Sequence, residues 1–487
     1  MQTLFGARLA QHAESTARAP AVALPGREIG YAELAAQVRD CAAWLARQGC
    51  VPGHIVGITV ADEMLHLVTS LALLSLGVPQ VCLPTHEPAS KRESLAEKLQ
   101  VKRVVVTNLA HALPGRDVSP LTAPRHHPRT FSGTLEAMLS DADAPAIYCT
   151  SSGTTGEPKL YSHSQRTLAW RAERLAEGEQ IGPGYRALAL ASLEYGVAKR
   201  RHHTTAYLGF TSVFAGNSAS PASVPELCAE LRVTSLELSV LQVASLVQDA
   251  DCRPLPAHTI VWALGSATPV SLRQQFKRRF GKTLFVNYGA GEFGRIASTY
   301  PASVDDDLEA VGIPAPWIEL EIVDADDNIV PAGEIGEVRV RSGCMEHQYY
   351  HDPAATARHF KDGWFYPRDL ASCTPGGSVR LHGRSDDMMN LHGIKIFPAQ
   401  IERALEAHPA VRAAAAFARP SAIHGDIPVV AVELHEAALA TEEELMARAR
   451  ELLGVCAPRK IILVDALPRN AAGKVVKREL ADLLSSK

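Results

Sequence analysis

The chain has 487 residues, of which 46% are hydrophobic and 21% charged, with a formal net charge of −4. At roughly 100–200 residues per domain, this length predicts more than one folding unit, and the composition is typical of soluble globular proteins. The small net charge provides no basic field for nucleic acid or for an anionic membrane, so we expect neither as a partner.

Up to about Ala310, segments with helical and strand periodicity alternate, which predicts an α/β fold of layered subdomains. The predicted elements include helix 31–48, strand 54–60, helix 62–75 and strands 80–83, 103–106 and 146–150. Short alternating strands follow at 317–323, 336–341 and 378–381, separated by Gly, Pro and Asp. They predict a small β-rich unit.

After the polar segment Arg384-Ser385-Asp386-Asp387, a compact pattern begins again. Its predicted elements are helix 399–407, strands 411–418 and 428–434, helix 441–453 and strand 460–464. This pattern predicts a separate small α+β domain. We therefore divide the chain into an N-terminal domain, 1–385, and a C-terminal domain, 386–487.

The nine cysteines are scattered, odd in number and without a CxxC pair. They predict reduced thiols in the cytoplasm rather than a disulfide framework or a zinc site. The N-terminus lacks the charged start and apolar run of a signal peptide. The most apolar stretch, 66–81, is short and interrupted by Gly77 and Pro79, so we expect no membrane span. Both a monomer and a homodimer remain open.

An apolar strand runs directly into a loop rich in hydroxyls and glycines, residues 150–159, with the sequence TSSGTTGEPK. Glycines let the backbone approach an anion closely, and hydroxyls with successive backbone N–H groups can surround phosphate oxygens. Lys159 adds a mobile positive charge. The string is not a Walker A motif. The loop predicts a phosphate site, with a flexible linker as the alternative.

This loop resembles the signature of the acyl-adenylate-forming superfamily, which comprises acyl- and aryl-CoA ligases, carrier-loading adenylation domains and luciferases. Further segments resemble family motifs in the family's order: NYGAGE at 287–292, GWFYPRD at 363–369, GRSDDMMNLHG at 383–393 and LPRNAAGKVVKREL at 467–480. The resemblance covers essentially the whole chain. It implies a large N-terminal domain followed by a small mobile C-terminal domain. It also implies ATP and a thiol as co-substrates, with Mg²⁺ as the cofactor.

The resemblance also implies roles for individual residues. The residues implied to bind ATP or AMP are Thr150, Ser151, Ser152, Gly153, Thr154, Gly156, Lys159, Tyr288, Gly289, Asp369 and Arg384. The residues implied as catalytic are Lys474, Glu292 and Thr155. Glu292 is also the implied Mg²⁺ ligand, which suits a cation that takes one or two carboxylates plus substrate phosphates. Asp386 is implied as the hinge, and Gly393 as part of the thiol tunnel.

Two departures from the family motifs affect these assignments. Gly291 stands where the family has threonine, which implies that one hydroxyl contact to the adenylate is lost. Pro367-Arg368 replace Thr-Gly, which implies a stiffer and more cationic loop beside Asp369. Asp369 itself is retained, and a carboxylate that accepts two O–H bonds suits the ribose diol.

The implied reaction is formation of an acyl-AMP from ATP and a carboxylic acid, followed by transfer of the acyl group to CoA. Two alternatives remain open: loading of a carrier protein's phosphopantetheine arm, and a catalytically inactive nucleotide-binding relative. In the family, Lys474 would act in the first step, and the C-terminal domain would then swing about Asp386. An electrostatic role of this kind needs only a preorganised charge beside the α-phosphate.

The acid pocket is implied at three segments. Its implied residues are Tyr195, Gly196, Gly265, Ser266, Ala267 and Ala290. The Tyr-Gly-Val at 195–197 is similar to a stretch of benzoate-type CoA ligases, which favours an aryl acid. The basic run Lys199-Arg200-Arg201-His202-His203 is interpreted as a solvated helix start, with a cationic pocket as the alternative. Near residues 194–196 there is no aspartate of the kind that amino-acid-activating domains pair with a substrate ammonium group, which disfavours amino acids as substrates. Glu194 is the candidate for that role, so amino acids are not excluded.

Overall fold

The N-terminal part of the chain is built on two mainly parallel sheets, as its alternating pattern predicts. A computed structural model describes residues 5–121, 141–151, 158–216, 223–300, 307–343, 345–392, 394–421, 425–435, 438–469, 475–477 and 479–480. In these ranges the helices are Phe5–Ser15, Tyr31–Arg47, Glu63–Ser75, Ala89–Lys98, Gln165–Gly178, Gly196–Leu208, Val224–Glu230, Val240–Gln248, Val270–Phe280, Pro353–His359, Pro398–Glu406 and Glu442–Leu453.

The first sheet, here called the amino-terminal sheet, is parallel except at one edge. Its described strands, in spatial order, are Asp117–Pro120, Arg103–Val106, Val56–Thr59, Gln80–Cys82, Pro145–Thr150 and Leu160–Ser164. The last strand is antiparallel to its neighbour, because the chain turns back after the 150–159 loop. Asp62 caps the helix Glu63–Ser75 by accepting a hydrogen bond from Leu65 N at 2.8 Å.

The second sheet, here called the central sheet, is parallel through its middle and antiparallel at both edges. Its described strands, in spatial order, are Ile313–Pro314, Gly294–Ser298, Leu284–Ala290, Ile260–Leu264, Ser235–Ser239, Arg186–Ala189, Thr211–Val213, Pro20–Leu24 and Arg27–Gly30. One apolar core joins the two sheets and contains Ile58, Leu71, Leu168, Ala206 and Val22. The helices between the sheets are therefore covered on both sides.

The β-rich unit is entirely antiparallel. Its described strands, in spatial order, are Phe360–Lys361, Trp364–Phe365, Gly336–Arg341, Asp369–Cys373 and Val379–Arg384, with Glu319–Val323 also paired to Gly336–Arg341. The chain then makes a short 3₁₀ turn, Ser385–Asp387, before the C-terminal sheet begins. The predicted hinge residue Asp386 lies in this turn, while the predicted boundary at 385/386 stays a prediction.

The C-terminal part forms its own sheet and its own core. Its described strands are Ile394–Ile396, Met389–Leu391, Gly425–Leu434 and Val411–Ser421 in spatial order, with Lys460–Val464 parallel to Gly425–Leu434. Leu405, Val432 and Leu445 are buried together in a core that contains no residue from the N-terminal sheets. The predicted α/β fold, with a large N-terminal part and a small α+β C-terminal part, is confirmed.

No helix among the described ranges combines the length and apolar character needed to cross a bilayer. The cysteines at the described positions are all free thiols, as the sequence predicts.

Candidate active site

The segments with predicted site residues converge at the carboxyl ends of the parallel strands. In the central sheet, Gly265 follows strand Ile260–Leu264, and Tyr288 lies near the end of the neighbouring strand Leu284–Ala290. In the amino-terminal sheet, strand Pro145–Thr150 leads into the phosphate loop. Ligands of open α/β sheets bind at such carboxyl edges. Arg171 lies on helix Gln165–Gly178, which follows the last strand of the amino-terminal sheet. Its Nη1 donates to Gly291 O at 3.1 Å, so this side chain connects the edges of the two sheets.

Glu292 is a buried carboxylate near Lys159, at the end of the phosphate loop. Its Oε1 accepts a hydrogen bond from Tyr349 Oη at 2.8 Å. Lys159 Nζ lies over the Tyr349 ring, 5.6 Å from the ring centroid. Burial lowers the pKa of Lys159, and the charge of Glu292 opposes that shift. The structure thus brings together the predicted metal ligand and the predicted phosphate-binding lysine.

Tyr288, Asp369 and Arg384 form one hydrogen-bonded group. Tyr288 Oη donates to Asp369 Oδ2 at 2.7 Å, and Arg384 Nη1 lies 3.3 Å from Asp369 Oδ1. Burial raises the pKa of Tyr288, so its hydroxyl stays protonated as a donor. Asp369 and Arg384 face each other across paired strands of the β-rich unit. Three residues predicted to contact the nucleotide therefore lie together.

The predicted acid-pocket residues lie at the same carboxyl edge, on three segments. Tyr195 is the N-cap of helix Gly196–Leu208, and its hydroxyl lies 3.0 Å from His86 Nε2. The Gly265-Ser266-Ala267 turn is exposed, whereas Ala290 is half-buried. Glu194 is buried, and its carboxylate accepts two hydrogen bonds from Thr85: one from the backbone N at 2.7 Å and one from Oγ1 at 2.9 Å.

The basic run at 199–203 is not a solvated helix start, so that interpretation was wrong. Lys199, Arg201, His202 and His203 are buried, since helix Gly196–Leu208 lies between the two sheets. Arg201 Nη1 donates to Glu179 Oε2 at 3.0 Å, and its Nε donates to Glu237 Oε1 at 2.6 Å. Most of this run is therefore structural, with Arg201 in a buried ion-pair cluster.

Several residues that border the site were missed by the sequence interpretation. Arg171 Nη2 donates to Glu292 O at 2.7 Å, and His163 Nδ1 lies 2.7 Å from Glu346 Oε1. Burial raises the pKa of Glu346 to about 7. The available signal was an arginine at position 171 on the apolar face of its helix, next to Leu168 and Ala172. A charge at such a position needs a buried partner.

The Gly291 departure has a steric explanation. A Cβ added at position 291 would overlap Tyr161 Oη and lie 2.9 Å from Tyr161 Cζ. The Tyr161 side chain therefore occupies the space that a larger residue at 291 would need. Part of the predicted site lies outside the described residues: Ser152, Gly153, Thr154, Thr155, Gly156, Gly393 and Lys474.

The segments predicted to bind nucleotide and acid, together with the two-part α/β fold, point to an acid-activating class of enzyme. Family models match in two places: the AMP-binding enzyme model at residues 9–350, and the AMP-binding enzyme C-terminal domain model at residues 400–474. The chain belongs to the AMP-binding enzyme family. The predicted acyl-adenylate-forming superfamily is thereby confirmed.

Individual relatives are distant. A long-chain-fatty-acid–CoA ligase of Escherichia coli is 27% identical over 68% of this chain, and the match spans only 60% of that protein. The indoleacetate–CoA ligase of Aromatoleum aromaticum is 28% identical over 96% of this chain and 95% of that protein. The structure of an O-succinylbenzoate coenzyme A synthetase from Bacillus subtilis, in complex with ATP and magnesium ion, has a TM-score of 0.86 at 23% identity, covering 97% of this chain and 98% of that chain.

Proposed function

We propose that this protein uses ATP and Mg²⁺ to convert a carboxylic acid into its acyl-AMP, and then transfers the acyl group to the thiol of CoA. The observation that carries the proposal is the buried Glu292 carboxylate near Lys159, the residue at which the phosphate loop ends. The hydrogen-bonded group of Tyr288, Asp369 and Arg384 supports a nucleotide at the same place.

Glu292 fits a role as the magnesium ligand. Tyr349 occupies its Oε1, and in the described part of the chain no side chain donates to Oε2. One free carboxylate oxygen suits Mg²⁺, which takes its other ligands from water and substrate phosphates. When bound, the ion would neutralise charge on the triphosphate. The residues around it hold Glu292 in place: Arg171 fixes its backbone carbonyl, and Tyr349 its side chain.

The first step joins the acid to the nucleotide. A carboxylate oxygen of the acid attacks the α-phosphorus of ATP, the bond to the β-phosphate oxygen breaks, and pyrophosphate leaves. Lys159 and the 150–159 loop would hold the phosphates, and Lys474 would bridge the carboxylate and the α-phosphate. In the second step the thiol sulfur attacks the acyl carbonyl carbon, the bond from that carbon to the phosphate oxygen breaks, AMP leaves and the thiol proton passes to solvent. Positioning and charge stabilisation suffice for both steps.

An aryl or acyl acid fits the site better than an amino acid. Glu194 is the carboxylate nearest the pocket segment in sequence, but it is occupied by Thr85 and lies 3.2 Å from His86 Nδ1. It is therefore not free to pair with a substrate ammonium group. The similarity to an indoleacetate–CoA ligase supports an aryl acid as the first candidate.

The test is acid-dependent exchange of labelled pyrophosphate into ATP, run over aryl, fatty, dicarboxylic and amino acids. We expect exchange that requires Mg²⁺ and is fastest with an aryl or acyl acid. Glu292→Gln should reduce kcat/KM by about 10²–10³, the usual effect of removing one preorganised electrostatic group. Glu319→Gln, at an exposed carboxylate of the β-rich unit, is the matched control. Absence of exchange with every acid would refute the proposal.

The acceptor is tested separately, with the best acid from the exchange assay. CoA and a panel of phosphopantetheine-loaded carrier proteins are offered to the enzyme, and the thioester products are separated by mass spectrometry. We expect acyl-CoA. If the thioester forms only on a carrier protein, the acceptor is the carrier protein and not CoA. The proposed adenylation step is unaffected by that outcome.

A further inference from the structure

The Tyr161 side chain is placed against the backbone of the predicted Mg²⁺-binding segment. Tyr161 lies on strand Leu160–Ser164, directly after the phosphate loop, and is 5% exposed. Its hydroxyl occupies the position that a Cβ at residue 291 would take, next to Glu292. Gly291 has no positive φ, so the glycine is required there by space rather than by backbone conformation. Tyr161 and Gly291 thus form a complementary pair.

The surroundings fix both members of this pair. Arg171 donates to the carbonyls of Gly291 at 3.1 Å and Glu292 at 2.7 Å, which holds this backbone segment in place. The Tyr161 ring packs with Tyr349 in one small apolar cluster, and the His163 ring meets it edge-on with centroids 5.2 Å apart. A buried ring with these neighbours has little rotational freedom. The hydroxyl is therefore preorganised.

The hydroxyl of Tyr161 has no hydrogen-bond partner among the described residues. The fully buried side-chain atoms that lack a partner do not include this hydroxyl, so it is read as accessible to a ligand rather than as an orphaned interior group. Burial also raises the pKa of Tyr161, so the group stays protonated. A preorganised O–H beside Glu292 and Gly291 is thus available to donate to a ligand oxygen.

We propose that Tyr161 Oη–H donates a hydrogen bond to an anionic oxygen of the acyl-adenylate, and so positions the reacting carboxyl and phosphate. The inference rests on the proposed function, since it deepens the description of the same site. It also assigns a reason to the Gly291 departure: the hydroxyl that this segment lacks is supplied from the strand after the phosphate loop.

The first test is Tyr161→Phe, which removes the hydroxyl and keeps the ring. A hydrogen bond to a charged group corresponds to about a 10–100-fold effect. We expect kcat/KM for pyrophosphate exchange to fall by that factor, with an unchanged melting temperature. The control is Tyr207→Phe, which removes a hydroxyl that donates to Glu173 at 3.1 Å, away from the site. Activity of Tyr161→Phe within twofold of the wild type would overturn the proposal.

The second test uses the steric complementarity. Gly291→Thr alone should lose activity by more than 100-fold, because its Cβ overlaps Tyr161 Oη. Tyr161→Ala combined with Gly291→Thr removes the overlap and returns a hydroxyl from the opposite side. We expect the double variant to exceed each single variant by about tenfold or more. A double variant no better than Gly291→Thr would count against the pairing.

A binding experiment separates this inference from the proposed function. Calorimetric titration with a non-hydrolysable aryl sulfamoyl adenosine, a stable mimic of the adenylate, requires no turnover. We expect Tyr161→Phe to bind it about tenfold more weakly than the wild type. Equal affinities would overturn the role of Tyr161 even if the wild type is active. An inactive wild type that shows the tenfold difference would refute the proposed reaction and retain the binding role.

Discussion

Arg368 Nε lies 3.5 Å from Asp386 Oδ1, so the loop beside Asp369 is ion-paired with the predicted hinge. The same guanidinium lies 2.8 Å from Glu337 Oε1, and the Arg368 carbonyl accepts from Ser385 N at 2.8 Å. Arg368 has a positive φ of 68°, in the region that favours glycine. Arg368 thus has the positive-φ backbone conformation that the glycine of the family motif adopts readily. Its side chain adds an ion pair to Asp386, the predicted hinge residue.

We predict that Arg368→Gln loosens the turn Ser385–Asp387. A partly exposed ion pair contributes about 0.2–1 kcal/mol, which corresponds to a change of about 1.4- to fivefold in the population of an opened turn. Trypsin cleavage after Arg384, followed by mass spectrometry, should be faster by that factor at low salt. The difference should vanish at high salt because the ion pair is then screened.

Arg341→Gln is the matched control for this experiment, because Arg341 forms an exposed ion pair with Glu319 in the same β-rich unit. Its cleavage after Arg384 should match the wild type. If Arg368→Gln is cleaved at the wild-type rate at all salt concentrations, Arg368 has no part in holding the hinge.

A second prediction concerns the buried charges around Arg201. Burial acts to raise the pKa of Glu179, but the ion pairs with Arg201 and Arg295 prevail and lower it to about 2. Arg201→Leu removes the ion-pair partner of the buried Glu237 carboxylate, whereas Glu179 keeps its pair with Arg295. Such a loss typically destabilises a protein by about 3–5 kcal/mol. Chemical denaturation should show this as a lower midpoint for the N-terminal transition.

The control for Arg201 is Arg253→Leu, which removes an exposed pair with Glu226. Pairs of that kind contribute about 0–1 kcal/mol. Similar losses for the two variants would mean that the cluster around Arg201 contributes no more than a surface ion pair.

A third prediction concerns the pH dependence of the C-terminal domain. Burial raises the pKa of Glu406 to about 7, well above the ordinary value of a glutamate side chain. A carboxyl with a raised folded-state pKa stabilises the fold fully below its unfolded pKa, and this contribution is lost as pH rises through the folded pKa. Glu406→Gln cannot ionise, so it should melt at a higher temperature than the wild type at pH 8, with a smaller difference at pH 5.

Calorimetry of the C-terminal transition at both pH values measures this effect. Glu443→Gln, at an exposed carboxylate in helix Glu442–Leu453, is the control and should show no such change between the two pH values. A difference between Glu406→Gln and the wild type that is the same at pH 5 and pH 8 would contradict the prediction.

Much of the fold follows from local periodicity. Strands Arg103–Val106, Gly336–Arg341 and Lys460–Val464 lie where the alternating pattern predicts them, and other elements differ by one to three residues at their ends. The predicted helix at 31–48 is Tyr31–Arg47, since Gln48 is its C-cap. Such end effects depend on capping and not on the apolar pattern.

The long-range pairs could not be predicted in this way. Tyr161 and Gly291 are distant in sequence, and only the meeting of two sheets brings them together. The burial of Arg201 and His203 depends on a second layer covering the helix, and helical periodicity does not reveal whether such a layer exists. The family motifs supplied the residues that are predicted to bind the nucleotide, whereas Arg171, Tyr349 and Glu346 lie outside those motifs and were missed.

The most direct measurement compares the two half-reactions of Lys474→Ala. We predict that pyrophosphate exchange falls by about 10²–10³, because in the proposed mechanism Lys474 stabilises charge at the α-phosphate only in the first step. Thiolysis of preformed acyl-AMP by CoA should stay within about threefold of the wild type. An equal loss in both half-reactions, or full exchange activity without Lys474, would contradict a mechanism in which the C-terminal domain supplies the charge for adenylation.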